Sequence, residues 1–140
     1  MSESDIVRSI LKYLKTVPGC FCWKEHGGMY GTAGIPDIIA CIGGRFYGFE
    51  VKTDKGSPTR SQEAVIGKIR KADGTAAVVR SYGEVEDILK NSIPGFAVCE
   101  NCGKPFIRNG SRQKYCDSPE CRNARNRKKA KAYYQRKKSR

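Results

Sequence analysis

Long apolar runs are missing from this chain. No stretch approaches the roughly 18 to 20 consecutive apolar residues that cross a bilayer, and the opening MSESDIVRS has no basic segment leading into an apolar core. A soluble, unexported protein working in the cytoplasm is expected. Histidine is nearly absent: His26 stands alone, and beside a glycine-rich loop it reads as a polar loop residue. Acidic residues are scarce at one end. Residues 99 to 140 hold 14 Lys plus Arg against 3 Asp plus Glu, a net of +11, whereas residues 1 to 98 hold 13 against 11, a net of +2. With Tyr133 and Tyr134 among those charges, a polyanion is the expected partner, and nucleic acid the commonest one. The 140 residues leave room for one ordinary domain or for a compact one with a stapled appendage. The uneven charge favours the second.

Cysteine, by contrast, is plentiful. Seven is an odd number, and four of them cluster after residue 98, so a metal site in a reducing cytoplasm is expected rather than a secreted disulfide framework. Cys20, Cys22 and Cys41 have neither a fourth ligand nor a partner histidine in their spacing and read as small buried hydrophobes. Phe21 and Trp23 read as core.

Along the chain, Ile6, Val7, Ile10, Leu11 and Leu14 recur at helical spacing from Asp5 to Val17, and Pro18-Gly19 stops that helix. CFCWKE reads as a short strand, followed by the glycine-rich HGGMYGTAG. Residues 37 to 42 and 45 to 52 read as two strands joined by Gly43-Gly44, a two-residue connection that favours an antiparallel hairpin. After the polar TDKGSPTRS come a helix from Gln62 to Ala72, a strand in TAAVVRS and a helix in YGEVEDILKN. The order α-β-β-β-α-β-α predicts an α/β fold with a mixed sheet flanked by helices. Ile93-Pro94-Gly95 marks a boundary between domains at 1–95 and 96–140, and there is no internal repeat.

The hairpin carries three charges that a buried strand has no structural use for. Side chains alternate across a strand, so Glu50 and Lys52 share a face. If Gly43-Gly44 is the turn, Ile42 pairs with Arg45, and Asp37 falls opposite Glu50 with Cβ atoms about 4.5 to 5.5 Å apart. Two half-buried carboxylates at that spacing repel unless a cation neutralises them. Mg²⁺ suits the place, since it takes one or two carboxylates and completes its shell with water and phosphate oxygens. Lys52, on the same face, is placed to orient a water and offset charge on a phosphodiester under attack. Lys24, Lys55 and Arg60 are nearby candidates for phosphate contacts.

Pro36-Asp37, twelve residues, then Glu50-Val51-Lys52 resembles the PD-(D/E)xK (restriction-endonuclease-like) nuclease superfamily. GTAGIPD…FEVK…GSPTRSQ with a following helix and a VVRS strand resembles its VRR-NUC branch over nearly all of residues 1 to 92. The resemblance implies that Asp37 and Glu50, with the Val51 carbonyl, bind Mg²⁺ or Mn²⁺, that Lys52 serves catalysis and that Gln62 supports the site. Glu3 is the nearest match to an acid that the family often draws from its first helix. The resemblance further implies an endonuclease choosing branched DNA such as flaps or four-way (Holliday) junctions, acting as a homodimer, in a bacterial or phage-infected cell. Two other readings stand beside it: a DNA-binding or regulatory protein whose acids hold only structural ions, and a sequence-specific endonuclease of restriction type.

Downstream, Cys99-x2-Cys102, thirteen residues, then Cys116-x4-Cys121 presents four thiols in two close pairs, the donor set of a tetrahedral structural Zn²⁺. A redox Cys-x-x-Cys would leave Cys116 and Cys121 without a role. CGKPF…YCD…CR resembles treble-clef zinc fingers, with Asp117 where the pattern has Ser. Ser118-Pro119 reads as the cap and first position of a helix through Cys121. RNARNRKKAKAYYQRKKSR then continues that helix with almost no apolar stripe. Arg122, Arg125, Arg127, Lys128, Lys129 and Lys131 are expected on phosphates, with Tyr133 and Tyr134 stacking on bases or sugars.

Overall fold

A computed structural model describes residues 1–27 and 31–140; the middle of the glycine-rich loop expected over residues 26 to 34 therefore lies outside the described residues. The chain divides into two compact units, Met1–Ser92 and Ile93–Arg140. Ile93 and Gly95 go with the second unit, because the Ile93 carbonyl accepts from Phe96 N (3.2 Å) and the Gly95 carbonyl from Arg108 N (2.8 Å).

In the first unit the elements run α1 (Glu3–Leu14), β1 (Cys20–Lys24), β2 (Ile38–Ile42), β3 (Arg45–Val51), α2 (Arg60–Lys71), β4 (Thr75–Val79) and α3 (Tyr82–Ser92). The sheet order is β1-β2-β3-β4. β1, β2 and β3 pair antiparallel, and β4 joins β3 in parallel, as a connection through a helix requires. Gly43 and Gly44 both take positive φ (57° and 80°), the conformation a two-residue hairpin turn demands. Ile42 consequently faces Arg45 and Ile38 faces Phe49.

Alternation sorts the sheet into two faces. Tyr47, Phe49 and Val51 are fully buried on one, where the Tyr47 hydroxyl meets Ser92 of α3 at 2.8 Å and the Tyr13 ring of α1 packs tilted against Tyr82 of α3 at 5.7 Å. Gly48 lies on the other face, and a Cβ there would come within 3.3 Å of Ile69 in α2 and 3.0 Å of Pro36. α2 therefore covers the β3–β4 half of that second face. Its reach explains one departure from the sequence reading: Phe21 and Trp23 are not core. On the edge strand β1 they stay 70% and 41% exposed, their rings tilted against each other with centroids 5.5 Å apart. Cys41, paired with Phe21, is exposed for the same reason. Period-two alternation identifies a face without telling whether a helix lies over it.

Two capping boxes set the helix starts ahead of the apolar periodicity. Ser2 and Asp5 bond reciprocally at α1, and Thr59 and Gln62 at α2. In the second unit β5 (Phe96–Val98) pairs antiparallel with β6 (Pro105–Ile107), and α4 spans Pro119–Lys138. Ser118 caps α4, with Pro119 as its first residue. Among the described residues no helix is long and apolar enough to cross a membrane.

Candidate active site and metal centre

At the open end of the β2–β3 hairpin the backbone pairing stops and side chains take over. Asp37 sits one residue ahead of β2, and its Oδ2 accepts the Val51 N–H at 2.8 Å, while its carbonyl accepts Glu25 N at 2.7 Å. Extending the register from Ile38 and Phe49 sets Asp37 opposite Glu50. Glu50 is only 1% exposed. Its Oε1 accepts from Gln62 Nε2 at 2.7 Å and lies 3.5 Å from Lys52 Nζ. Its Oε2 is buried with no hydrogen-bond partner among the described residues.

A carboxylate in that position is hard to ionise. Burial raises its pKa first, the neighbouring Asp37 carboxylate raises it further, and Lys52 only partly offsets them, leaving it at about 7. Such a pair suits a divalent cation on three counts: two hard oxygen donors side by side, one buried oxygen lacking any partner, and a proton readily displaced near neutrality.

Gln62 is oriented from the other end. Its Oε1 accepts Thr59 N at 2.8 Å in the capping box, so the amide nitrogen is the atom left to face Glu50. One residue both starts α2 and grips the buried acid. Gly34 brings that helix start into place: with φ at +84°, it packs so closely that an added Cβ would stand 2.4 Å from the Ser61 carbonyl oxygen and 3.0 Å from Gln62 N. A Gly34→Ala substitution is expected to destabilise the protein by about 2 kcal/mol or more, through positive φ and a backbone clash together. Thermal melting checks it, against a Gly67→Ala control where a Cβ meets nothing within 4 Å.

Glu3, in the first turn of α1, reaches this group through Lys52, whose Nζ lies 4.0 Å from Glu3 Oε1. Lys52 is thus held between two acids. Lys24 is not brought to the site: it pairs with Ile38, which pairs with Phe49, and that face is opposite the one bearing Glu50. Lys55 lies exposed in the loop after β3, and Arg60 is exposed at the first position of α2. His26 is exposed. Sequence reasoning passed over Glu25, whose backbone meets Asp37 and whose Oε2 accepts the Trp23 indole N–H at 2.8 Å. Continuing the β1 alternation one residue past Lys24 would have placed it beside Asp37.

In the second unit the four sulfurs of Cys99, Cys102, Cys116 and Cys121 lie within 4.8 Å of one another. Cys102 and Cys116 are 3.8 Å apart, the edge length of a tetrahedron with metal–sulfur bonds of about 2.3 Å. The cluster could hold a metal ion such as zinc. The fold supplies hydrogen bonds for thiolates: Cys116 N reaches Cys99 Sγ at 3.3 Å and Asn101 Nδ2 reaches Cys121 Sγ at 3.4 Å. Burial opposes ionisation of Cys99, yet backbone N–H groups from Cys102, Cys116 and Asn101 bring its pKa down to about 6. The Asn101 amide, followed by the Ser118 hydroxyl, lowers that of Cys121. Of the cations expected on nucleic acid, Arg122, Arg127, Lys128, Lys129 and Lys131 are exposed along α4 with Tyr133 and Tyr134, and Arg125 is partly drawn in.

The first unit has the fold of a VRR_NUC domain. One matching solved structure, described as a VRR_NUC domain, superposes with a TM-score of 0.54 at 22% identity, covering 65% of this chain and 96% of that one. A second, described as a VRR_NUC domain protein, gives a TM-score of 0.56 at 20% identity, covering 66% of this chain and 88% of that one. No protein-family model and no curated protein matches the sequence.

Proposed function

We propose that the chain is a metal-dependent endodeoxyribonuclease that hydrolyses phosphodiester bonds and selects branched DNA, flaps or four-way junctions, over linear duplex. One observation carries the reading: in a VRR_NUC fold, Glu50 is buried beside Asp37 with its Oε2 lacking any partner among the described residues. Asp37 and Glu50, joined by the Val51 carbonyl, would hold Mg²⁺ or Mn²⁺. When bound, the ion supplies charge neutralisation at the phosphate and lowers the pKa of water near it. Lys52, held by Glu50 and Glu3, keeps an ammonium where negative charge grows on the phosphate as attack proceeds, and it can donate a hydrogen bond that orients the incoming water. Gln62 holds the Glu50 carboxylate by one oxygen and leaves the second free to take a cation. Zinc in the four-cysteine cluster would fix the finger from which α4 presents its cations. The nearly neutral first unit would grip a polyanion weakly without them.

We also read the working form as a homodimer within a bacterial or phage-infected cell. β1 is an edge strand whose Phe21 and Trp23 are exposed, and all seven cysteines are free, as a reducing cytoplasm would keep them. Light scattering tests the dimer.

The deciding experiment incubates the purified protein, with and without Mg²⁺, with linear, flapped and four-way DNA of unrelated sequences. Mg²⁺-dependent cutting that tracks the branch is expected. Cutting that tracks one duplex sequence would replace branch selection with sequence recognition, and tight binding without cutting would leave a DNA-binding protein. Equal cutting by an Asp37→Ala protein would remove the site from the chemistry.

A further inference from the structure

α4 has little to pack with: only Cys121 among its residues is buried. Arg125, one turn on, is nevertheless drawn in beside the loop ahead of Cys116. Its Nε is shielded from solvent and has no acceptor among the described residues. A shielded guanidinium N–H without an acceptor costs free energy that an incoming anion would recover. Two adjoining clefts of about 260 and 250 Å³ open there, and Lys114, Tyr115, Arg125 and Lys129 line both. Arg112 lines one and Lys128 the other, with Glu100 as the single carboxylate of the two linings.

Lys114 belongs to a loop that its own hydrogen bonds hold in shape. Its carbonyl accepts Glu100 N at 2.9 Å, and Gln113 bridges Asn109 N (2.7 Å) and the Tyr115 carbonyl (2.8 Å). Two residues later, Cys116 N donates to Cys99 Sγ. The four-cysteine cluster therefore fixes where Lys114 stands relative to Arg125 and Lys129, which lie four residues apart on one side of α4.

We propose that these clefts form a phosphate subsite that takes a backbone phosphate of nucleic acid, with the Arg125 guanidinium as the donor and Lys114 and Lys129 flanking it. The assignment rests on the reading of this chain as a nucleic-acid binder and adds cations from outside α4. The C-terminal turns of the helix point to a chain phosphate rather than a free anion. Another cleft, lined by Tyr133, Arg136, Lys137 and Arg140, continues the same side of α4, and within the helix Arg125 to Lys137 spans about 18 Å at 1.5 Å per residue. That length suits successive phosphates of one strand.

The test measures binding of fluorescent single-stranded and duplex DNA of unrelated sequence to the full chain across a salt series. The variants are Lys114→Ala, Arg125→Ala and Lys138→Ala, the last an equal charge loss outside the clefts, each with zinc content confirmed. Lys114 is exposed, so its variant should fold even where Arg125→Ala does not. Lys114→Ala and Arg125→Ala are each expected to weaken binding on the order of tenfold and to lower the salt slope by about one, with a smaller loss for Lys138→Ala. Lys114→Ala matching Lys138→Ala overturns the subsite while leaving nucleic-acid binding in place. No binding by the unmodified protein overturns both. A separate titration with inorganic phosphate reaching the oligonucleotide's affinity would overturn assignment to a chain phosphate.

Discussion

Glu50→Gln in the full chain is expected to reduce Mg²⁺-dependent DNA cutting by about a thousandfold or more, since metal-assisted charge stabilisation is worth several kcal/mol. The same substitution should make the protein more stable without divalent ions. The sign comes from Glu50 being harder to ionise folded, at about 7, than in the unfolded chain near 4.5. Well below pH 4.5 both states hold the proton and nothing is lost. As pH rises from there, the unfolded chain ionises first and stability falls, levelling off above about 7 at a loss of about 3 kcal/mol. Glutamine removes that slope while its side-chain oxygen can still accept from Gln62. Melting temperatures in chelator at pH 4 and pH 8 check this: the two proteins should nearly agree at the lower pH, and the variant should melt higher at the upper one. Mg²⁺ should then raise the unmodified protein selectively at pH 8. A variant no more stable than the unmodified protein at pH 8 would show that the acid is not held against its preference.

The second large effect belongs to the finger. Its core cluster is Ala97, Cys99, Phe106 and Cys121, with Tyr115 and Cys116 packed against it, so metal-ligand candidates make up half of that cluster. That core is too small to hold a fold without its staple. Removing a metal ion held by the four cysteines, or replacing Cys121 with Ala, is expected to unfold the second unit, because metal binding of about 10 to 16 kcal/mol and folding are one equilibrium in such clusters. Circular dichroism, zinc release and DNA affinity report it. Helix content should fall, and DNA affinity should drop by about tenfold or more as α4 loses the loop that frames its cations. Metal release that left helix content and affinity unchanged would reduce α4 to a tail.

The sequence makes the hairpin legible because glycine pairs are so particular: Gly43-Gly44 fixes the turn, the turn fixes Ile42 against Arg45, and arithmetic carries the register to Asp37 and Glu50. The four cysteines are equally plain, since their spacing is itself the constraint. Less was legible where a residue's place depends on something distant in the chain. Phe21 and Trp23 alternate like core residues, and only the position of α2 reveals that β1 is left uncovered. Lys24 sits near Asp37 in space but on the opposite face, a distinction that needs the β1–β2 register. Thr59 and Gln62 form a T-x-x-Q capping box that the sequence did contain, whereas the grip of Gln62 on Glu50 needs the close seat that Gly34 gives to Ser61. Arg112 and Lys114 lie in a loop with no periodicity, and only the folded finger sets them beside Arg125.

Asp37 has a second employment. Just ahead of β2, its carboxylate accepts the Val51 N–H that a further strand residue would have taken, so it is the last rung of the ladder as well as half of the proposed cation seat. Alanine there would both empty the seat and let the hairpin unzip by a rung. Asparagine keeps an oxygen for Val51 and discards only the charge, so the difference between the two variants measures how far the rigidity of the acid pair is borrowed from the sheet itself.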